Sequence, residues 1–68
     1  MADTHRQFVA ACRAAYPGIT QREIGAATGL TQQAISVQRY DVEKAVERWN
    51  AGGRTRVVYV AARVELSP

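Results

Sequence analysis

Several features that support metal binding, export or membrane insertion are scarce in this chain. Its one cysteine, Cys12, can neither form an internal disulfide nor hold a zinc ion alone. Its one histidine, His5, has no neighbouring cluster of cysteines or acids, so we expect a surface residue and no metal site. No apolar run approaches the ~20 residues of a membrane span, and residues 1–7 lack the apolar core of a signal peptide. We therefore predict a cytoplasmic chain with no metal, cofactor or membrane contact.

The chain is also short, at 68 residues, which predicts a single domain over residues 1–68. A domain of this size buries only about 60% of the surface that its unfolded chain exposes. That leaves little room for a catalytic cleft, and the Gly52–Gly53 pair alone is typical of a helix stop rather than a phosphate-binding loop. We predict that the protein is not an enzyme and that it gains stability by pairing with a second copy.

Positive charge is distributed unevenly. Lysine and arginine total 9 against 6 acids, and eight of the nine cations are arginine. The rigid fork of arginine matches phosphate oxygens and guanine edges, which a lysine ammonium does not. Residues 48–63 contain four arginines and no acid. This distribution favours a polyanionic partner such as nucleic acid.

Two helices are indicated in the first part of the chain. Apolar residues at helical spacing predict a first helix over residues 4–16, which Pro17–Gly18 ends. Thr20 and Glu23 then form a capping box, in which each side chain accepts from the backbone N–H of the other residue. The capping box predicts a second helix over residues 21–27.

Turn residues divide the middle of the chain. Gly29 suits a left-handed position after the second helix, and Thr31 suits the N-cap of a third helix that we expect to reach at least Tyr40. Asp41 is a good N-cap for a separate fourth helix over residues 42–50, although the apolar spacing also fits one long helix. We favour the break at Asp41.

Residues 54–66 form a tail of a different character, rich in residues that favour strands. Residues 60–63 contain none of the turn residues that a tight hairpin uses, so we predict one long strand. Such a strand has an exposed apolar edge, and pairing with the same strand of a second copy would cover it. Alternation places on one face Val58, Val60, Ala62, Val64 and Leu66. The residues expected at the dimer interface are Val58, Tyr59, Val60 and Val64, with Trp49 in the core or at that interface.

The predicted second and third helices carry the features of a known motif. Gly25 allows two helices to approach closely, Gly29 supplies the turn, and an apolar core between the helices would come from Ile24, Leu30 and Ile35. With these features, residues 21–40 resemble the helix-turn-helix of bacterial and phage transcriptional regulators. Departures from the family pattern stand at Thr28 and Gln38, where apolar residues are usual.

Two further resemblances point the same way. Residues 31–35, Thr-Gln-Gln-Ala-Ile, resemble the opening of the recognition helix in lambdoid phage repressors, where paired glutamines read base edges. The combination of a helix-turn-helix with a short strand tail is similar to the small autorepressors of plasmid replication operons. The fold class is therefore expected to be mostly α, with three or four helices including a helix-turn-helix, plus one C-terminal strand that pairs across a dimer.

The resemblance implies that the third helix enters the major groove of DNA. The residues on or at the edge of its predicted reading face are Gln32, Gln33, Ser36, Val37, Arg39 and Tyr40. Glutamine can bond adenine and arginine can bond guanine through paired contacts, and this face carries no acid. Phosphate contacts are expected from Gln21, Arg22 and Thr31. Arg54 and Arg56 either hold phosphate or simply keep the start of the strand soluble.

These observations predict a homodimeric repressor that binds an operator in double-stranded DNA, blocks transcription by occlusion and regulates its own synthesis. No small-molecule effector is evident. Two alternatives stay open. One is a protein-interaction adaptor whose tail adds a strand to a partner's sheet. The other is a non-specific architectural DNA binder, with steep salt dependence and no preferred site.

Overall fold

Four helices followed by an antiparallel hairpin make up the protein, in a computed structural model that describes residues 2–67. The elements are α1 (Ala2–Ala15), α2 (Gln21–Thr28), α3 (Gln32–Ser36), α4 (Val42–Ala51), β1 (Val57–Val60) and β2 (Arg63–Leu66). The predicted mostly helical fold with a strand tail is confirmed. The prediction of a single strand is wrong, since the tail forms two.

Side-chain caps set where α4 begins. The Asp41 carboxylate accepts from the backbone N–H groups of Glu43 and Lys44, at 3.0 Å and 3.3 Å. These two donors have no partner within the helix, so the cap stabilises its first turn. The separate fourth helix predicted from Asp41 is confirmed, and it extends to Ala51.

The third helix is shorter than predicted. α3 ends at Ser36, because Gln38 adopts a left-handed φ of 61°. The backbone N–H of Gln38 donates to Ile35 O at 3.3 Å, and that of Arg39 donates to Ala34 O at 2.9 Å. This bonding pattern is a Schellman ending, which usually has glycine at the left-handed position. The expectation that the helix reaches Tyr40 is wrong because glutamine occupies that position and gives no sequence signal.

The core lies where α1, α4 and the hairpin meet, with α2 packed between α3 and α4. Trp49 is 0% exposed, and its ring meets Phe8 edge to face at 6.3 Å between centroids. The remaining side chains with under 2% exposure are Cys12, Ile24, Thr28, Ile35 and Val57. One continuous apolar cluster therefore joins the first three helices' inner faces to α4 and β1.

The hairpin reverses through Ala61 and Ala62, which have φ values of 49° and 64°. Left-handed backbone at both central residues is the geometry of a type I′ turn, for which Asn-Gly is the usual sequence. The Thr4 hydroxyl of α1 donates to Ala62 O at 2.7 Å, so contact with α1 holds a turn that alanine disfavours locally. The single-strand prediction failed because it rested on the lack of typical turn residues in positions 60–63 and did not include the contact with Thr4.

Reversal also changes which side chains share a face. Val57 is paired with Leu66 and Tyr59 with Val64, and these residues form the inner face. The outer face consists of Val58, Val60, Arg63 and Glu65. The predicted grouping of Val58 and Val60 with Val64 is therefore wrong, because a chain reversal lies between them.

Candidate nucleic-acid interface

The α2–turn–α3 unit has the caps and the turn that the sequence predicts. The Thr20 hydroxyl accepts from the Glu23 N–H at 3.2 Å, and the Glu23 carboxylate accepts from the Thr20 N–H at 3.1 Å, completing the capping box. Gly29 has a φ of 77°, and the following Leu30 N–H donates to Gly25 O at 3.0 Å. A left-handed residue followed by this bond reverses the chain tightly between the two helices.

Gly25 lies where the turn comes back against α2. A Cβ atom added there would sit 2.6 Å from the backbone oxygen of Leu30 and 3.5 Å from Cδ1 of Ile35. A backbone oxygen cannot move aside as the tip of a flexible side chain can. Close approach of α2 to the turn therefore requires glycine, whereas the sequence attributed Gly25 to the close approach of two helices.

The start of α3 presents polar side chains to solvent. Thr31 caps the helix by accepting from the Ala34 N–H at 3.0 Å, and Gln32 and Gln33 are exposed. Val37, at the end of the helix, is 49% exposed. Among residues 31–37 there is no acid, so nothing on this surface opposes a negatively charged partner.

Ser36 and Gln21 form a hydrogen bond across the two helices. The Ser36 hydroxyl donates to Gln21 Oε1 at 2.9 Å. This bond leaves the serine oxygen as an acceptor and the Gln21 amide nitrogen as a donor. The Ser36 oxygen can therefore accept a hydrogen bond from a base amino group, and the Gln21 amide nitrogen can donate one to a phosphate oxygen.

Tyr40 does not belong to the α3 surface, contrary to the sequence prediction. It follows the left-handed Gln38, and its half-buried ring packs edge-on against Phe8 at 6.3 Å. Its hydroxyl is 2.6 Å from Nδ1 of His5, which is itself half-buried rather than a surface residue. Burial raises the pKa of the Tyr40 phenol to about 12 and lowers the pKa of His5.

The arginines that the sequence predicts to contact DNA fall into two groups. Arg22, Arg39 and Arg56 are exposed. The guanidinium carbon of Arg54, in contrast, lies 4.9 Å from the Trp49 ring centroid and 5.2 Å from that of Tyr16. Stacking against two aromatic rings stabilises the loop after α4. For Arg54 the structure therefore offers an internal role, which the sequence did not indicate.

Two arginines to which the sequence assigned no role lie beside the α2–turn–α3 unit. Arg6 and Arg13 project from α1 into a groove of about 500 Å³ between α1 and the α2–α3 unit. The groove, called the α1 groove below, is lined by His5, Arg6, Val9, Ala10, Arg13, Gln21 and Gln38. The seven-residue separation of the arginines on one helix was the available signal, because it places both on one side.

The residues predicted for dimerisation are separated by the fold. Trp49 is fully buried and donates through Nε1 to Thr55 O at 2.9 Å, so it belongs to the core. Val64 is 7% exposed and also faces the core, which removes both from a dimer surface. Val58 and Tyr59 are partly buried on opposite faces, and Val60 is 45% exposed on the outer face.

The described side chains also bear on metal binding and thiol chemistry. Among residues 4–67, no group of three or more side chains is suited to holding a metal ion. Cys12 is buried, and desolvation raises the pKa of its thiol to about 12 against the smaller opposing effect of Arg54. No helix among these residues is both long and apolar enough to cross a membrane.

Comparison with known proteins adds no relative. The chain matches no family model, and no curated protein or solved structure matches it either. The surface around α3 therefore has to be interpreted from its own chemistry.

Proposed function

We propose that this protein is a sequence-specific repressor that binds double-stranded DNA as a homodimer and occludes its operator. The observation that carries the proposal is the exposed, acid-free start of α3, held by the tight turn after α2 and lying beside exposed arginines. Glutamines at this position have the donors and acceptors to read adenine in the major groove. A repressor of this kind acts in the cytoplasm, and autoregulation through its own concentration needs no effector domain.

Base reading is assigned to a smaller set of residues than the sequence suggested. Gln32 and Gln33 are the principal readers of base edges. Ser36 acts as a hydrogen-bond acceptor, because its hydroxyl hydrogen is already engaged in the bond to Gln21. Val37 is placed to touch a thymine methyl. Arg22, Arg39 and Arg56 are assigned to phosphate contacts.

The second copy is assigned to the outer face of the hairpin. A two-stranded hairpin alone is marginal in water. On the outer face Val60 is 45% exposed and Val58 is partly buried, so some apolar surface is left there. The Arg63–Glu65 ion pair, 3.0 Å long, lies beside them and can be matched by the same pair of a symmetry-related copy. Two α3 helices would then enter successive major grooves about 34 Å apart.

Selection from a random pool of duplex DNA at near-physiological salt tests the proposal. We expect an enriched pseudo-palindrome with half-sites about one helical turn apart. Absence of any enriched site from a folded, soluble protein would contradict operator binding. Steep salt dependence without enrichment would indicate an architectural binder, and salt-insensitive association with another protein would indicate an adaptor.

Two substitutions separate base reading from dimerisation. Gln33→Ala should cost about 1–3 kcal/mol on the selected site and little on random DNA. Equal losses on both would remove Gln33 as a reader.

Val60→Glu should give a monomer in sedimentation experiments, because it places a charge in the centre of the proposed interface. A dimer that survives this change would place the interface elsewhere.

A further inference from the structure

The α1 groove has arginines on one wall and amides on the other. Arg6 and Arg13 are exposed on α1, while Gln21 of α2 and Gln38 of the α3–α4 link face them. The groove floor includes Val9, which is 8% exposed. Its polar lining therefore consists of two guanidinium groups, two amides and the His5 imidazole, with no acidic group.

The residues that line the α1 groove include no aspartate or glutamate. Among residues 4–67, whose side chains the structure describes, the ion pair found joins Arg63 to Glu65 on the hairpin, away from the groove. Arg6 and Arg13 are seven residues apart on a helix, which corresponds to a rise of about 10 Å. This separation allows the two guanidinium groups to contact different phosphates of one strand.

The groove is continuous with the surface assigned to base reading. Gln21 lines the groove and also accepts the hydrogen bond from Ser36 at the end of α3. A duplex held by the start of α3 therefore has a route for its sugar–phosphate backbone past Gln21 toward α1. The guanidinium fork suits phosphate oxygens on this route.

We propose that the α1 groove binds the DNA backbone next to the bases that α3 reads, with Arg6 and Arg13 each contacting a phosphate. The inference rests on the proposed function, since it requires that the chain binds duplex DNA. It enlarges the interface from the helix-turn-helix to the first helix. Affinity for any sequence then depends on α1, while the choice of sequence depends on α3.

Salt titration of DNA binding tests the assignment with the full-length chain. The double variant R6Q/R13Q is compared with the unchanged protein on the selected operator and on a random duplex, at 50 to 300 mM salt. Each lost phosphate contact should flatten the slope of log K against log[salt] by about 0.9 and weaken binding about fivefold near 0.15 M. We expect both DNAs to be affected alike, because phosphates carry no sequence.

Two control variants make the result specific. R6K/R13K keeps both charges and should retain a slope close to that of the unchanged protein. K44Q removes one charge on α4, outside the groove and outside the surfaces assigned to DNA and to the second copy, and should leave the slope unchanged. Circular dichroism establishes that every variant is folded.

Separate outcomes bear on the two proposals. If R6Q/R13Q binds both DNAs with an unchanged slope, the backbone contact in the α1 groove is overturned while operator binding stands. If the unchanged protein binds random and selected DNA equally, operator reading fails, and a flattened slope for R6Q/R13Q still supports the α1 contact. A chain that binds no duplex DNA overturns both.

Discussion

Asn50 pairs with both main-chain groups of Val57. Its amide nitrogen donates to Val57 O at 2.7 Å, and its amide oxygen accepts from the Val57 N–H at 2.9 Å. The side chain thus makes the two bonds that a neighbouring strand would make at the exposed edge of β1. This contact ties the end of α4 to the beginning of the hairpin and explains how a short sheet is fixed to a helical core.

Replacing Asn50 tests this attachment. In Asn50→Asp the carboxylate still accepts from the Val57 N–H but opposes the Val57 carbonyl, so we expect a loss of about 1–3 kcal/mol in the free energy of unfolding. Asn50→Ala removes both bonds without that repulsion and should be less harmful than the aspartate variant. Urea unfolding followed by the fluorescence of Trp49, the single tryptophan, measures both. Equal stabilities for the aspartate variant and the unchanged protein would contradict the pairing.

The turn of the hairpin offers a stabilising change. Ala61 and Ala62 both have left-handed φ values, which cost an L-residue with a Cβ about 1–2 kcal/mol each. The double substitution Ala61→Asn and Ala62→Gly should recover part of this and raise the melting temperature by about 5 °C or more. The hydrogen bond from Thr4 is kept, because its acceptor is a backbone oxygen. As a control, Ala26→Gly in α2 should lower stability by about 1 kcal/mol.

No gain in melting temperature from the Asn-Gly turn would mean that the chain does not reverse through left-handed residues at this point. Thermal unfolding followed by circular dichroism measures the melting temperatures of the variant and of the unchanged protein.

The parts of the fold that the sequence predicted are those governed by local chemistry. Thr20, Glu23 and Gly29 set the ends of α2 through contacts within a few residues, and Asp41 does the same for α4. Gly25 was recognised because a close approach requires a missing side chain. Such features act over short separations along the chain and so are readable without tertiary structure.

The errors arose where distant contacts decide the local structure. The hairpin depends on Thr4, which is separated from Ala62 by 58 positions in the chain. α3 ends early around Gln38, and the ring that follows, Tyr40, is held by Phe8 and His5 from α1. The α1 groove was likewise missed, because the spacing of Arg6 and Arg13 shows only that they share one side of α1, and folding alone brings that side near Gln21. No pattern within one segment reports these pairings.

Arg54 and Arg56 should respond differently to the same substitution. Arg54 stacks on Trp49 and Tyr16, whereas Arg56 is exposed. We expect Arg54→Gln to lower the free energy of unfolding by roughly 0.5–2 kcal/mol through loss of the cation–π contacts. Arg56→Gln should leave stability unchanged and serves as the matched control. Equal effects of the two substitutions on urea unfolding would argue against a structural role for Arg54.

The contact between His5 and Tyr40 predicts a pH dependence of stability. Partial burial lowers the pKa of His5 below its ordinary value of 6.5, so the unfolded chain takes up this proton more readily than the folded one. The contribution of His5 is therefore fully present above pH 6.5 and is lost as pH falls through the folded-state pKa.

In its neutral form with the proton on Nε2, Nδ1 of His5 accepts from the Tyr40 hydroxyl, and His5→Asn keeps an acceptor while removing the titration. Between pH 8 and pH 5 the melting temperature of the unchanged protein should fall further than that of His5→Asn, with the carboxylates contributing alike to both. If the melting temperatures of the two proteins fell equally between pH 8 and pH 5, the pKa of His5 would be the same in the folded and unfolded states.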